Sequence, residues 1–254
     1  MIIEYFRPEN KEDAIILLSR KTPKTLPLGG GTVLSHADVG EDLALVDLQS
    51  LGMKGIEKNG EVLRIGANTT LQNLLESPTI SDAIRNSLSL ECNFNLRQAA
   101  TVGGAVACGT GKSAFNALLM AMEACILWEP GSKTFSFSDF HSKLRATEPG
   151  YISALLIPLA LKTAISFISR TPESEPLFCL CGSGKKDGMI RLTMINPEGD
   201  LPWLVFSGKI GKPEELAKSL SSKWIINQNM TFDYQETVLF ELIKRIFTKL
   251  EQGN

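Results

Sequence analysis

The sequence predicts an α+β fold built from two or three packed lobes. Its 254 residues exceed the usual size of one domain. Short runs rich in branched apolar residues alternate with helical patterns, and a long amphipathic helix closes the chain.

Asn10 is placed to cap a helix over about residues 10–20, with Glu12 and Asp13 in its first turn and Ala14, Ile15, Leu17 and Leu18 as its apolar face. Residues 25–28 read as a short strand that stops at Gly29, Gly30 and Gly31. Residues 43–48 and 62–65 also read as strands, making the first 57 residues a small α/β lobe. Helical patterns follow at 71–76 and 82–90, then a glycine pair, Gly103 and Gly104, and a helix over about 114–124. Strands are expected at 126–128, 134–137 and 151–158. A third region opens near Leu159 with strand-like runs at 164–168, 189–195 and 204–206, followed by two helices. In the last helix Val238, Leu239, Leu242, Ile243, Ile246, Phe247 and Leu250 recur along one stripe.

Composition narrows the function classes. Hydrophobic residues at 43% and charged residues at 21% suit an ordinary globular protein. A formal net charge of -2 lacks the basic excess with which nucleic-acid binders neutralise phosphates. No apolar run approaches the ~20 residues that span a bilayer, and acidic residues interrupt the start before a signal-peptide core can form, so a cytoplasmic location is expected. Cys92, Cys108, Cys125, Cys179 and Cys181 have no metal or cluster spacing and read as buried or free thiols. Cys179 and Cys181 are read as packing residues: neighbouring strand residues point to opposite sides, and a one-residue gap is poor disulfide geometry. His36 and His141 alone offer little for a metal site or a triad, and Trp128, Trp203 and Trp224 read as packing residues. No catalytic side chain and no metal site is expected.

Two segments carry chemistry. Leu28 is followed by Gly29, Gly30, Gly31, Thr32, Val33 and Leu34 at the end of a predicted strand. Successive glycines let consecutive backbone N–H groups converge on an anion such as a pyrophosphate, although a lone glycine triplet is more often a tight turn. The second segment runs from Arg97 through Thr101, Gly103 and Gly104 to Ala107. Two such loops about seventy residues apart suggest a clamp on one diphosphate.

On these residues the chain resembles the FAD-binding subunit, or middle domain, of the molybdopterin dehydrogenases of the xanthine dehydrogenase and carbon monoxide dehydrogenase type. The YFRP stretch from Tyr5 to Pro8, the GGGTVL loop, the LVDL strand, the LRIGANTT segment containing Asn68, and the TVGGAVA loop keep the family's order and spacing. The resemblance implies a two-lobed FAD-binding fold of the PCMH/vanillyl-alcohol-oxidase-like type. A carboxy-terminal α+β domain follows, with a three-stranded antiparallel sheet and helices. The implied boundaries are 1–57, 58–158 and 159–254. It further implies an FAD held by Gly29, Gly30, Gly31, Thr32, Val33, Leu34, Asn68, Arg97, Thr101, Gly103, Gly104, Ala107, Thr110 and Ser113. The implied partners are an iron–sulfur subunit and a molybdopterin-binding subunit, with NAD or a quinone as electron acceptor.

The family carries Asn where this chain has Ala105, and acidic residues at the positions of Thr110 and Ala114. Losing a hydrogen bond to a charged group costs about 1.5 to 3 kcal/mol, roughly tenfold to 150-fold in affinity. A flavin-free scaffold subunit is therefore one alternative. The other is an NTP-binding protein using the Gly-Thr-Gly-Lys-Ser run at 109–113, although Val106 stands where a Walker loop needs its first glycine.

Overall fold

The computed structural model describes residues 1–36, 40–144, 149–171, 174–199, 201–209, 212–221 and 230–252. In chain order come β1 (Ile2–Phe6), α1 (Lys11–Leu18), β2 (Lys24–Leu28), β3 (Leu43–Asp47), β4 (Ile56–Asn59) and β5 (Val62–Gly66). Four helices precede α6 (Ala114–Ala121): α2 (Leu71–Glu76), α3 (Asp82–Glu91), α4 (Phe94–Ala99) and α5 (Val102–Cys108). Strands β6 (Cys125–Glu129) and β7 (Lys133–Ser136), the turn α7 (Phe137–Asp139) and β8 (Tyr151–Pro158) follow. Strands β9 (Lys162–Ile168), β10 (Phe178–Gly184), β11 (Met189–Met194) and β12 (Trp203–Lys209) lead to α8 (Pro213–Ser221) and α9 (Phe232–Gln252). No helix among the described residues is long and apolar enough to cross a membrane.

The chain forms two compact units. The first comprises Met1–Pro78, Cys92–Gly109 and Glu123–Leu159. It holds a parallel three-stranded sheet in the order β1-β3-β2 and a five-stranded antiparallel sheet in the order β4-β5-β8-β6-β7. Strand β3 is buried along its whole length, as a central parallel strand covered on both faces must be. Asn10 caps α1 as its sequence suggests, accepting from the Asp13 N–H at 2.8 Å. Ala14 and Leu18 of that helix pack on Val46, Leu48, Met53 and Tyr151.

The second unit comprises Thr79–Glu91, Thr110–Met122 and Ala160–Asn254. Its antiparallel sheet has four strands, β12-β11-β10-β9, where three were expected. The additional strand is β10, whose Cys, Gly and Ser residues lack the branched side chains by which strands are read from sequence. The strand's period of two assigns its faces. Leu180 packs beneath α9 with Leu192, Leu242 and Ile246. The Cys181 thiol and the Ser183 hydroxyl reach the carbonyls of Ala114 and Ala121 on α6, and Thr193 Oγ1 of β11 donates to Ala117 O. Cys179 and Cys181, two residues apart, therefore share one face, which corrects the expectation of opposite sides. Both are fully buried free thiols, and burial pushes the Cys181 thiol well up. Trp203 packs against the apolar core of this unit, whereas Trp224 and the side chain of His36 lie outside the described residues. His141 packs between Phe137 and Phe140, with ring centroids 4.6 Å and 5.1 Å away.

Candidate cofactor site

A cavity of about 320 Å³ opens in the first unit, within the size range of small-molecule sites. One wall is the loop that leaves β2. Gly29, Gly30, Gly31, Thr32, Val33 and Leu34 all line it. Gly31 has φ of 71°, a left-handed conformation that suits glycine, and its carbonyl accepts from the Ser35 N–H at 3.0 Å. Among the described residues, no N–H from Gly29 to Val33 donates to a protein acceptor. These are the free donors that a diphosphate requires.

The opposite wall is the segment that enters α5. Thr101, Gly103, Gly104 and Ala107 line the cavity, together with Asn68. Thr101 caps the helix by accepting from the Gly104 N–H at 3.2 Å, and the Gly103 N–H donates to Ala67 O at 2.8 Å. The donors of this second glycine pair are thus committed within the protein, so the pair serves close approach: a Cβ on Gly103 would lie 2.8 Å from that of Ala67. The loops also press on each other. A Cβ on Gly30 would meet Ala99 O at 1.8 Å, and one on Gly29 would meet Thr101 Oγ1 at 2.5 Å. Asn68 is buried and oriented by donating from Nδ2 to Leu48 O at 2.6 Å.

Aromatic residues that the local pattern did not reveal complete the lining: Trp128, Phe140 and Tyr151. Trp128 lies 5.6 Å from Phe140 between ring centroids and packs over Gly150, where a Cβ would fall 2.6 Å from its indole ring. Burial, followed by the nearby carboxylates of Glu129 and Glu12, pushes the Tyr151 hydroxyl up to about 12. Cys108 and Leu18 also reach the cavity. These residues come from separate strands and helices, so no short sequence window contains their grouping.

Three of the expected site residues do not line this cavity. Arg97 of α4 instead bonds Gln72 and the Cys92 carbonyl. Thr110 and Ser113 belong to the second unit. There the Glu91 carboxylate occupies the N-terminus of α6, accepting from the Phe115 N–H at 2.8 Å and from Ser113 Oγ at 2.9 Å. The Gly111 N–H is spent on Gly199 O at 2.9 Å. A carboxylate holds the place that a nucleotide phosphate would need, so the run at 109–113 is no phosphate loop.

Burial raises the Glu91 pKa above the ordinary carboxylate value, with bonds from Phe115, Ser113 and Ala114 opposing the rise. An acid whose pKa is raised by folding contributes stability below its unfolded pKa and loses that contribution as pH rises through the folded value. Thermal midpoints of the wild type are therefore expected to fall as pH rises just above the ordinary carboxylate range, and Glu91→Gln should lack that component. Superimposable pH profiles of the two proteins would contradict it.

Residues 1–160 match the family model described as the FAD binding domain in molybdopterin dehydrogenase. The chain belongs to this family. The cofactor of such a domain is FAD, and the cavity fits it in two respects: free backbone donors for a diphosphate and an apolar, partly aromatic remainder. Over 141 residues the chain is 29% identical to the uncharacterized protein YgfM of Escherichia coli K12, covering 55% of this chain and 54% of that one. It is 29% identical over 168 residues to the carbon monoxide dehydrogenase medium chain of Afipia carboxidovorans, covering 61% and 58%. The aligned part thus spans little more than half the length of these relatives. A chain of the reconstituted CO dehydrogenase from Oligotropha carboxidovorans shares the fold, with a TM-score of 0.82 at 20% identity over 100% of this chain and 99% of that one.

Proposed function

We propose that this FAD-binding domain protein is the flavin-carrying electron-transfer subunit of a molybdenum hydroxylase complex. It works beside an iron–sulfur subunit and a molybdopterin-binding subunit. The cavity between the two glycine segments carries the reading, because it pairs unclaimed N–H donors with an apolar lining. When bound, FAD supplies the redox chemistry, and the protein's part is to position it and set its surroundings. The loop from Gly29 to Val33 presents backbone donors to the diphosphate, Thr101 and Gly103 shape the facing wall, and Asn68 holds an oriented amide beside them. Trp128, Phe140 and Tyr151 offer an apolar surface that excludes water.

Within this reading, residues 1–57 and 58–158 are the two FAD-binding subdomains, and residues 159–254 form the closing domain. The complex would draw electrons from a substrate chosen in the molybdopterin subunit, of the purine or aldehyde type, and deliver them to NAD or a quinone. Co-purified subunits are expected to bleach the flavin absorbance anaerobically when substrate is added, whereas this chain alone with the same substrate should not. Bleaching by the isolated chain, or none in the complex, would contradict the assignment.

A further inference from the structure

Arg97 is held entirely by protein acceptors in the contacts it makes. Its Nε donates to Gln72 Oε1 at 3.2 Å, and Nη1 donates to the carbonyl of Cys92. Gln72 is buried, and its Nε2 donates in turn to Glu76 Oε1 at 2.7 Å. This links α4 to α2 through side chains, and the backbone continues the link. The Leu71 N–H donates to Ala100 O and the Val102 N–H to Thr69 O, each at 2.9 Å, around a bridge between Thr70 and Thr101.

The chain after Arg97 runs into the cavity wall, which begins at Thr101. Ala99 O lies 1.8 Å from where a Cβ on Gly30 would be, and Thr101 Oγ1 lies 2.5 Å from where one on Gly29 would be. The position of the end of α4 therefore sets how closely the two glycine segments approach. A guanidinium that forks between a side-chain amide and a carbonyl fixes that position in a way the single ammonium of lysine does not.

We infer that Arg97 and Gln72 form a positioning pair that sets the gap between the two glycine segments, and through it the affinity for the dinucleotide diphosphate, without contact between Arg97 and the phosphates. The inference rests on the FAD reading of the cavity. Gln72 stands outside the glycine segments, and its part emerges only from its bond to Arg97.

The test is equilibrium titration with FAD and with ADP of the wild type, Arg97→Met, Arg97→Lys, Gln72→Met and the double variant Arg97→Met/Gln72→Met, at low and high salt. Thermal midpoints of the flavin-free proteins are measured in parallel. Each single change, Arg97→Lys included, is expected to weaken FAD and ADP binding together by about tenfold or more. The double variant should be no weaker than the worse single one, because both break one linkage. The salt dependence of binding should stay as in the wild type, since no phosphate-contacting charge is lost. A flattened salt dependence in Arg97→Met, additive losses in the double variant, or full affinity in Arg97→Lys would overturn the positioning pair. A wild type that binds neither nucleotide would remove the FAD reading itself, and the pair with it.

Discussion

Gly30→Ala is expected to weaken FAD binding by about a hundredfold, the upper part of the range that a misfit in a packed site produces. The added Cβ would sit 1.8 Å from the carbonyl oxygen of Ala99, well inside any contact that real Cβ atoms make. The obstacle is backbone held at both ends: Ala100 N–H donates to Leu96 O at 2.8 Å, and Ala100 O accepts from Leu71 at 2.9 Å. No side chain can swing away, so the glycine loop must move off the wall that contains Thr101 and lose the aim of its free N–H groups. Flavin fluorescence titration of the variant checks this, with thermal midpoints to separate site damage from unfolding. Wild-type affinity in a folded Gly30→Ala protein would show that the close approach of the loops does not shape the site.

Leu242→Ala should cost about 2 to 5 kcal/mol of folding stability, the range for removing a buried leucine from a packed core. Leu242 has no exposed surface, and its neighbours on the α9 stripe, Leu239, Ile243 and Ile246, have none either. They pack on Leu180, Leu192 and Met194 of β10 and β11. Gly182 of β10 lets α9 come close, since a Cβ there would lie 2.7 Å from Ile246 Cγ2. The neighbourhood is thus well filled and collapses poorly around a cavity. Denaturant unfolding should show an early loss of structure in the variant, and a change under about 1 kcal/mol would contradict the packing of α9 in this core. For comparison, Glu241 on the same helix lies off that stripe, and its replacement should be close to neutral.

The elements that could be read from sequence are those whose chemistry is local. The α9 stripe repeats at helical spacing over several turns, so it was legible from sequence, and the Asn10 cap and the strand entering Gly29 are set by adjacent residues. Strands β1 and β4 are edge strands of mixed polarity, and β10 is buried on both faces with five of its seven residues Cys, Gly or Ser, so none shows the alternating pattern of a half-buried strand. The Gly103–Gly104 pair looked like a loop because glycine disfavours helix, yet Thr101 caps a short helix there and the small residues are needed against Ala67. Chain distance hid the rest of the site. Tyr151 and Trp128 meet the glycine loop only through the sheet, and the bond from Arg97 to Gln72 spans 25 residues. The motif marks Arg97 as a cofactor contact, whereas the fold bonds it to Gln72 and the Cys92 carbonyl, outside the cavity lining.

FAD binding by this chain is tested most directly by titrating the purified protein with FAD and recording its visible spectrum after desalting. Saturation at one FAD per chain and flavin bands that survive desalting are expected. A chain that stays colourless and leaves the fluorescence of added FAD unchanged would contradict FAD binding.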